Sequence, residues 1–184
     1  YSFNGDAFVI KEFEGDKVLL AVIDGTGNGL HAYEVATFVK NIFIENYRSD
    51  PVTIAKKCHR NIRKAFDISL VRSCVLGILL LKPRSLEYVG VGDTSIHVYG
   101  NPEKIILLNH KGIVGDIRFP DLTLQKFRCS RNLIIIMCSD GIKSRYSKED
   151  LPLDRSAQHI ANFIMKNYHH QYGDATVLVA KRKK

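Results

Sequence analysis

Four aspartates of the chain share one local setting, in which a glycine adjoins the carboxylate at the edge of an apolar segment. They are Asp6, Asp24, Asp140 and Asp174. Asp24 and Asp140 each follow an apolar run of the kind that forms a buried strand. Buried central strands place their ends on a common edge, so we expect these two carboxylates to lie close together.

Carboxylates that converge without a compensating cation repel one another and raise each other's pKa. A divalent ion between them removes that repulsion, and Mg²⁺ and Mn²⁺ favour sites built from oxygen ligands. The sequence shows no His and Cys cluster of the kind that indicates zinc. The pattern therefore predicts an acidic site for a divalent cation.

The stretch from residue 18 to residue 29 carries the strongest of these signals. An aliphatic run ends at Asp24, and Gly25, Gly27 and Gly29 follow on alternate positions. Glycine lets the chain turn sharply and brings its backbone close to whatever the aspartate holds. A carboxylate on a rigid strand beside such a turn suits a hard cation.

The elements that must position these residues are predicted from hydrophobic periodicity and turn signals. We expect a hairpin of residues 7–13 and 17–23, an amphipathic helix over about 30–47, and a second helix that Pro51 opens. Strands then follow over 73–81, 86–91, 95–99, 104–108, 122–127 and 133–138. Ser156 is expected to cap a third helix, and residues 175–180 form a closing strand.

The short spacing between these strands favours antiparallel meanders, and the order of elements favours two packed sheets with helices outside them. Asp93 also adjoins a glycine, but it lies between two strands that we expect to form a hairpin. Because Gly-Asp is ordinary turn chemistry, we interpret Asp93 as a turn residue.

A length of 184 residues with 45% hydrophobic content is enough for one domain with a sizeable core, which we assign to residues 1–184. No apolar run approaches the roughly 18 residues that a membrane-spanning helix needs, so we expect no membrane partner. The four cysteines show no Cys-x-x-Cys pairing, which favours reduced thiols and a cytoplasmic location.

The net charge of +8 raises the question of nucleic-acid binding. Aromatic residues that could stack on bases do not alternate with the basic ones, so we expect no nucleic-acid partner. Much of the excess instead falls on one predicted helix face that is expected to be solvated. Its members are Lys56, Lys57, Arg60, Arg63 and Lys64.

The acidic motifs resemble, in order, those of the metal-dependent (PPM-type) serine/threonine protein phosphatases. They are Gly5-Asp6, Asp24-Gly25-x-Gly-x-Gly, Ser139-Asp140-Gly141 and Asp174-Ala175-Thr176. Within that family the chain is most similar to the compact bacterial branch typified by the RsbX-like and stage II sporulation protein E-like phosphatases. The resemblance runs from residue 5 to residue 176, and it implies an α+β fold in which helices flank two antiparallel sheets as a four-layer α-β-β-α sandwich.

The resemblance also implies two divalent ions, Mn²⁺ or Mg²⁺, and three catalytic aspartates. Asp24 would bridge both ions, the Gly25 carbonyl would help to bind one of them, and Asp140 would ligate the other. Asp6 would orient the attacking water within this metal site, and Asp174 is a further candidate ligand. Two ions roughly 4 Å apart acidify water and clamp phosphoryl oxygens for in-line displacement.

Three positions depart from the family's pattern. Gly173 stands where the resemblance implies an acidic ligand, and moving the carboxylate to Asp174 would reverse its direction in a regular strand. Larger members hold substrate phosphate with an arginine near the N-terminus, and none precedes Asp6; Arg145 is an alternative candidate. Asn109 lies near the position of an extra metal-binding aspartate. These departures predict a weakened second metal site.

The implied activity is hydrolysis of phosphoserine and phosphothreonine in proteins. Members of this branch act in bacterial stress-response (stressosome) or sporulation signalling, which implies phosphorylated STAS-domain proteins as partners. A phosphatase-like binding module without activity is the main alternative. A dinucleotide-binding protein is a weaker one: Gly27-x-Gly29-x-x-Ala32 fits that fingerprint, but the charge of Asp24 would repel a pyrophosphate.

Overall fold

The computed structural model describes residues 3–27, 29–66, 72–100, 105–130, 132–143, 146–171 and 173–182. Its elements are β1 (Asp6–Phe13), β2 (Lys17–Gly25), α1 (Gly29–Asn46), α2 (Pro51–Ala65), β3 (Cys74–Leu81), β4 (Ser85–Val91), β5 (Ser95–Tyr99), β6 (Asn109–His110), β7 (Gln125–Arg128), β8 (Ile134–Cys138), α3 (Ala157–Tyr168) and β9 (Val177–Lys181). A short 3-10 turn, Lys148–Asp150, precedes α3.

These strands form two sheets. The larger sheet has the order β1-β2-β3-β4-β6, and β7 also pairs with β4. The smaller sheet has the order β5-β8-β9. All pairings are antiparallel except the two-residue contact of β6 with β4. The expected α+β class with two packed, mainly antiparallel sheets is confirmed.

Strand β2 shows how the layers pack. Leu19, Ala21 and Ile23 face a core shared with α1 and α2, whereas Leu20 and Val22 face a core between the two sheets. A third core lies between the smaller sheet and α3. Because β2 is covered on both faces, it consists of a continuous apolar run rather than an alternating one.

The predicted starts of α2 and α3 are confirmed, and the structure adds a cap at Asp50. Asp50 accepts a hydrogen bond from the Thr53 backbone N–H at 3.0 Å, and Pro51 is the first residue of α2. Ser156 caps α3 by accepting from the His159 N–H at 3.2 Å. These caps satisfy backbone donors that have no partner within the helix.

The predicted hairpin around Asp93 is wrong. Strand β4 belongs to the larger sheet and β5 to the smaller one, so residues 92–94 carry the chain from one sheet to the other. The free edge of β4 is taken by β6 and β7, and β5 pairs with β8 instead. Gly92 adopts the positive φ of a turn residue, as its sequence predicts. The local sequence does not show, however, that β4 and β5 pair with other strands rather than with each other.

The strand expected over residues 104–108 is also absent among the described residues 105–108, and the one expected over 122–127 is the shorter β7. Ile105 is 9% exposed and packs in the inter-sheet core, whereas Ile106 and Leu108 are 56% and 66% exposed. An extended segment that covers a core edge alternates in the same way as a strand, although it forms no ladder.

Candidate functional site

Asp6 and Asp24 lie directly opposite each other on neighbouring strands. Asp6 begins β1 and Asp24 is the penultimate residue of β2, and the antiparallel register pairs the two. Residues opposed in this way have their side chains on one face of the sheet. Since Asp24 has the same parity as Leu20 and Val22, that face is the one turned toward the smaller sheet.

Ser139 connects this pair to the smaller sheet. It follows β8, is 1% exposed, and donates from Oγ to Asp6 Oδ2 at 2.5 Å. The same Oγ accepts from the Thr176 N–H at 2.9 Å. The hydroxyl therefore fixes the Asp6 carboxylate and joins the two sheets at their common end. The sequence motif contained Ser139, but nothing in its spacing indicated this role.

Asp140 is the next residue, and it brings a carboxylate from the smaller sheet to Asp24. Asp140 lies close to Asp24, since burial and then the charges of Asp6 and Asp140 raise the pKa of Asp24. The expected convergence of the residues that end two buried strands is therefore present. These strands, β2 and β8, belong to different sheets that pack face to face, rather than to one sheet edge.

Asp174 also reaches the cleft. It lies ahead of β9 in a loop, and its Oδ2 accepts from the Gly5 N–H at 2.7 Å. Gly173 has a φ of +112°, a conformation that favours glycine, so the chain here is not a regular strand. The expected reversal of direction in a regular strand does not apply, because the loop turns the carboxylate toward β1.

Two glycines allow the elements around the site to approach closely. A Cβ on Gly25 would lie 2.3 Å from the Ala32 carbonyl oxygen at the start of α1. A Cβ on Gly141 would lie 2.0 Å from the Asp174 carbonyl oxygen. The glycines of the Asp-Gly pairs are therefore required by packing. Gly25 also donates its N–H to the Gly5 carbonyl at 3.0 Å, which holds the ends of β1 and β2 together.

The site opens into a cleft of about 1000 Å³. Five carboxylates line it: Asp6, Asp24, Asp93, Asp140 and Asp174. Asp93 is the one that sequence reasoning set aside, because the crossing between the sheets carries it to the cleft. Like each of the other four aspartates, Asp93 has a glycine next to it in the sequence, and this signal could have identified it.

The carboxylates perturb one another. Burial raises the pKa of Asp6 from its ordinary value of 3.8 to about 6, although hydrogen bonds from Ser139 and Thr176 oppose the increase. Burial, followed by the charges of Asp6 and Asp140, raises the pKa of Asp24 to about 8. Asp93 adds to this effect on Asp24. The carboxylates therefore repel one another in the metal-free cleft.

Within the described ranges, no Lys or Arg forms an ion pair with any of the five carboxylates. In the same described residues, no three Asp, Glu, His or Cys side chains are arranged closely enough to hold a metal ion. The chemistry of the donors nevertheless fits a hard cation: they are carboxylates and backbone carbonyls, desolvated and short of positive charge.

Several other expectations can be compared with the structure. Asn109 lines the cleft, but its side-chain amide is engaged in hydrogen bonds to Tyr88, Gly92 and Thr94. Arg145, a candidate for binding phosphate, lies outside the described residues. Lys111 and His170 also line the cleft, and sequence reasoning gave neither a role there.

None of the helices in the described ranges is long and apolar enough to cross a membrane. No curated protein matches the chain. Among solved structures, RsbX in complex with magnesium is 21% identical, with 99% of this chain and 89% of that chain covered and a TM-score of 0.83. A serine/threonine phosphatase of S. agalactiae is 12% identical, with 100% and 95% covered and a TM-score of 0.81.

A third structure is described as "The bacterial stressosome: a modular system that has been adapted to control secondary messenger signaling". It is 23% identical, covers 98% of this chain and 92% of that chain, and has a TM-score of 0.86. These similarities confirm the phosphatase fold expected from the motifs.

The family profile of stage II sporulation protein E (SpoIIE) matches residues 14–183, which is most of the chain. This range contains Asp24, Asp140 and Asp174, while Asp6 lies just before it. The match agrees with the resemblance that the acidic motifs indicated and with the two-sheet architecture that brings them together. The chain belongs to the stage II sporulation protein E (SpoIIE) family.

Proposed function

We propose that this protein is a metal-dependent phosphatase that hydrolyses phosphoserine and phosphothreonine in proteins. The observation that carries the proposal is the convergence of carboxylates from both sheets on one cleft, where they raise one another's pKa. A site of this kind is costly in a folded protein unless it binds cations. The fold that it shares with serine/threonine phosphatases gives that cation site a reaction class.

Asp24, the Gly25 carbonyl, Asp140 and Asp174 are the groups that would hold two divalent ions, Mn²⁺ or Mg²⁺. When bound, such ions supply Lewis acidity that activates water and neutralises phosphoryl oxygens. Asp24 is placed to serve both sides of the cleft, because it contacts Asp6 in its own sheet and Asp140 in the other. The Gly5 N–H holds the carboxylate of Asp174 in the cleft.

Asp6 has a different task. Ser139 and Thr176 hold its carboxylate, and burial raises its pKa to about 6. A carboxylate held in this way can orient a water molecule through a hydrogen bond. Substrate phosphate would then meet Lys111 and His170, which line the cleft and can provide hydrogen-bond donors.

Activity on a phosphopeptide tests this function. Purified protein with Mn²⁺ should release inorganic phosphate, and Asp24→Asn should abolish the release. Asp154→Asn is the matched control, because Asp154 is exposed and lies away from the cleft lining. Full activity of Asp24→Asn would contradict the proposed mechanism. Inactivity of the wild-type protein at saturating metal would instead favour the alternative, a phosphatase-like binding module.

Metal affinity is a separate test. Gly173 replaces an expected acidic ligand, and Asp174 compensates only through its loop position, so we expect one tight and one weak site for Mn²⁺. Calorimetric titration should resolve the two. Two ions bound with micromolar affinity would contradict the expected weakness. Asp174→Asn should remove the weak site and leave the tight one.

We further propose that the substrates are phosphorylated proteins of a bacterial stress-response or sporulation switch, such as STAS-domain proteins in the cytoplasm. The relatives whose descriptions name RsbX and the stressosome support this proposal. The four cysteines are free thiols and three of them are buried, which suits a reducing compartment.

Helix α2 offers a docking surface for such a partner. Four of its five basic side chains are exposed, as expected: Lys56, Arg60, Arg63 and Lys64. Lys57 departs from the expectation, because it is half-buried and its ammonium donates to Asn46 Oδ1. The loop after β6 packs on this helix, since His59 stacks on Phe119 with ring centroids 4.1 Å apart. The basic face therefore lies next to a loop whose beginning lines the cleft.

Charge reversal tests this surface. The double variant Arg60→Glu/Lys64→Glu should raise KM for a phosphoprotein substrate and leave hydrolysis of a short phosphopeptide unchanged, because electrostatic docking acts on the whole partner. Lys166→Glu on the exposed face of α3 is the control. Equal KM values for the phosphoprotein in both variants and the wild type would exclude α2 as the docking surface.

A further inference from the structure

A buried hydrogen-bond network lies beneath the cleft, between the two sheets. Tyr88 is fully buried in the inter-sheet core, and its hydroxyl donates to Asn109 Oδ1 at 2.6 Å. Two glycines that pair across β3 and β4, Gly77 and Gly90, make room for this contact. A Cβ on Gly90 would lie 2.0 Å from Asn109 Oδ1 and 2.4 Å from the Tyr88 hydroxyl. The sequence thus leaves space for one specific polar contact.

The other end of the Asn109 amide holds the chain where it crosses between the sheets. Its Nδ2 donates to the Gly92 carbonyl at 2.9 Å and to the Thr94 carbonyl at 2.6 Å. Both donors of the amide and its acceptor are therefore used, so the orientation of the side chain is fixed. The residue between the two carbonyls is Asp93, whose carboxylate lines the cleft.

A second link holds the backbone of the same segment. The Gly92 N–H donates to the His110 carbonyl at 3.0 Å. The His110 ring accepts from the Thr123 N–H through Nε2 at 3.1 Å, so Nδ1 carries the proton and donates to the Gly90 carbonyl at 3.2 Å. Strand β6 therefore clamps the crossing from two sides, although it is only two residues long.

We propose that Asn109 is a positioning residue: anchored by Tyr88, it sets the backbone of Asp93 and thereby directs the Asp93 carboxylate into the acidic cleft. The proposed function does not count Asp93 among the groups that hold the ions; its link to cation binding is that its carboxylate lines the same cleft and its charge acts on Asp24. That link rests on the proposed function, whereas the clamp itself does not. Asn109 is a support one step behind this carboxylate, and supports of groups at a metal site commonly change metal affinity by about tenfold or more.

Metal titration tests the link to the site. Asn109→Asp keeps the size of the side chain but turns both donors into acceptors facing two carbonyls, so Mn²⁺ affinity measured by calorimetry should fall about tenfold. Asp93→Asn should reduce it similarly, and the double variant should bind no more weakly than the weaker single variant. Additive losses in the double variant, or an unchanged affinity in Asn109→Asp, would overturn the proposal.

Gln125 provides a matched control. Its side-chain amide makes the same kind of paired contact to Leu108, the residue before Asn109, through bonds of 2.9 and 2.6 Å. Gln125 lies opposite Tyr88 in the register of β4 and β7, but its described hydrogen bonds go to Leu108 and not to the crossing at residues 92–94. Gln125→Ala should therefore leave Mn²⁺ affinity unchanged, and a loss equal to that of Asn109→Asp would mean that general loosening of this segment, rather than positioning of Asp93, explains the effect.

A measurement on the metal-free protein separates this proposal from the proposed function. Tyr88→Phe removes only one hydroxyl, so it is a gentler variant if Asn109→Asp fails to fold. Its effect is measured on the amide resonances of ¹⁵N-labelled protein. It should shift the backbone amide resonances of Asp93 and Thr94 and the side-chain amide of Asn109, whereas Gln125→Ala should not shift Asp93. Unchanged Asp93 and Thr94 resonances would overturn the clamp, even if the wild-type protein bound no metal and hydrolysed no substrate.

Discussion

Replacement of Asp24 by asparagine should stabilise the metal-free protein while it abolishes activity. Burial and the charges of Asp6 and Asp140 raise the pKa of Asp24 to about 8, so the charged form of Asp24 is unfavourable in the folded protein. An asparagine of the same shape carries no charge, and its amide can donate to those two carboxylates. The residue most important for the proposed reaction is therefore expected to be one of the least favourable for folding.

The magnitude follows from proton linkage. Because the pKa of Asp24 is higher in the folded state than its ordinary value of 3.8, the folded protein binds more protons than the unfolded chain between these values. The free energy of unfolding of the metal-free wild type should therefore decrease as the pH rises from about 4 to about 8. The slope can reach ~1.4 kcal/mol per pH unit for one proton.

Two factors limit the size of the effect. Asp6 contributes a similar slope, but only up to its pKa of about 6. Burial lowers the pKa of His59 and His97, so they add a slope of opposite sign near pH 6, but they do so equally in both proteins. The difference between Asp24→Asn and the wild type above pH 6 therefore reports on Asp24. Water in the open cleft also screens the charge. We therefore expect Asp24→Asn to be more stable than the wild type by ~1–2 kcal/mol near pH 7 and by less near pH 5.

Urea unfolding in the presence of a chelator at several pH values measures this difference. Added Mn²⁺ should reverse the order, because ions that bind only the folded wild type stabilise it in proportion to the logarithm of their concentration. Asp154→Asn is again the control and should follow the wild-type slope. If Asp24→Asn is no more stable than the wild type near pH 7 without metal, the inference that the charge of Asp24 destabilises the metal-free fold is wrong.

Two further substitutions test the packing around the site. Gly25→Ala should destabilise the protein by ~3 kcal/mol, because the new methyl group meets the backbone carbonyl of Ala32 rather than a movable side chain. Thermal unfolding measures this loss of stability, and a loss below about a third of that value would contradict the close approach. Ser139→Ala should cost ~1–3 kcal/mol and lower kcat more than it raises KM, because the Thr176 N–H loses its partner and Asp6 loses its orientation. Ser139→Thr, which keeps the hydroxyl, should recover part of the kcat, whereas equal kcat values for alanine and wild type would exclude an orienting role.

The element content of the protein could be predicted because it depends on local patterns. The apolar stripe of α1, the start of α2 at Pro51 and the Ser156 cap are present as expected, since helix periodicity and capping involve residues only a few positions apart. Asp24 and Asp140 could be linked for a similar reason: each ends an apolar strand, and the type of neighbour is visible in the sequence.

Pairing between distant segments could not be predicted in this way. Asp93 was assigned to a hairpin that does not exist, because the sequence of β4 and β5 does not show that they belong to different sheets. The alternating residues 105–108 cover a core edge without a strand partner. In each case the local pattern shows which side chains are buried, but it does not show which strand, if any, the segment pairs with.

The sequence by itself determined the set of acidic residues, the glycines beside them and the class of cation that they suit, because these are properties of residue type and short spacing. Only the tertiary structure decided that five carboxylates share one cleft, that Ser139 holds the carboxylate of Asp6, and that Asn109 binds the backbone carbonyls on either side of Asp93. The reason is that the two sheets meet face to face, so residues more than 130 positions apart become neighbours. Such contacts depend on the packing of whole layers, which no local segment encodes.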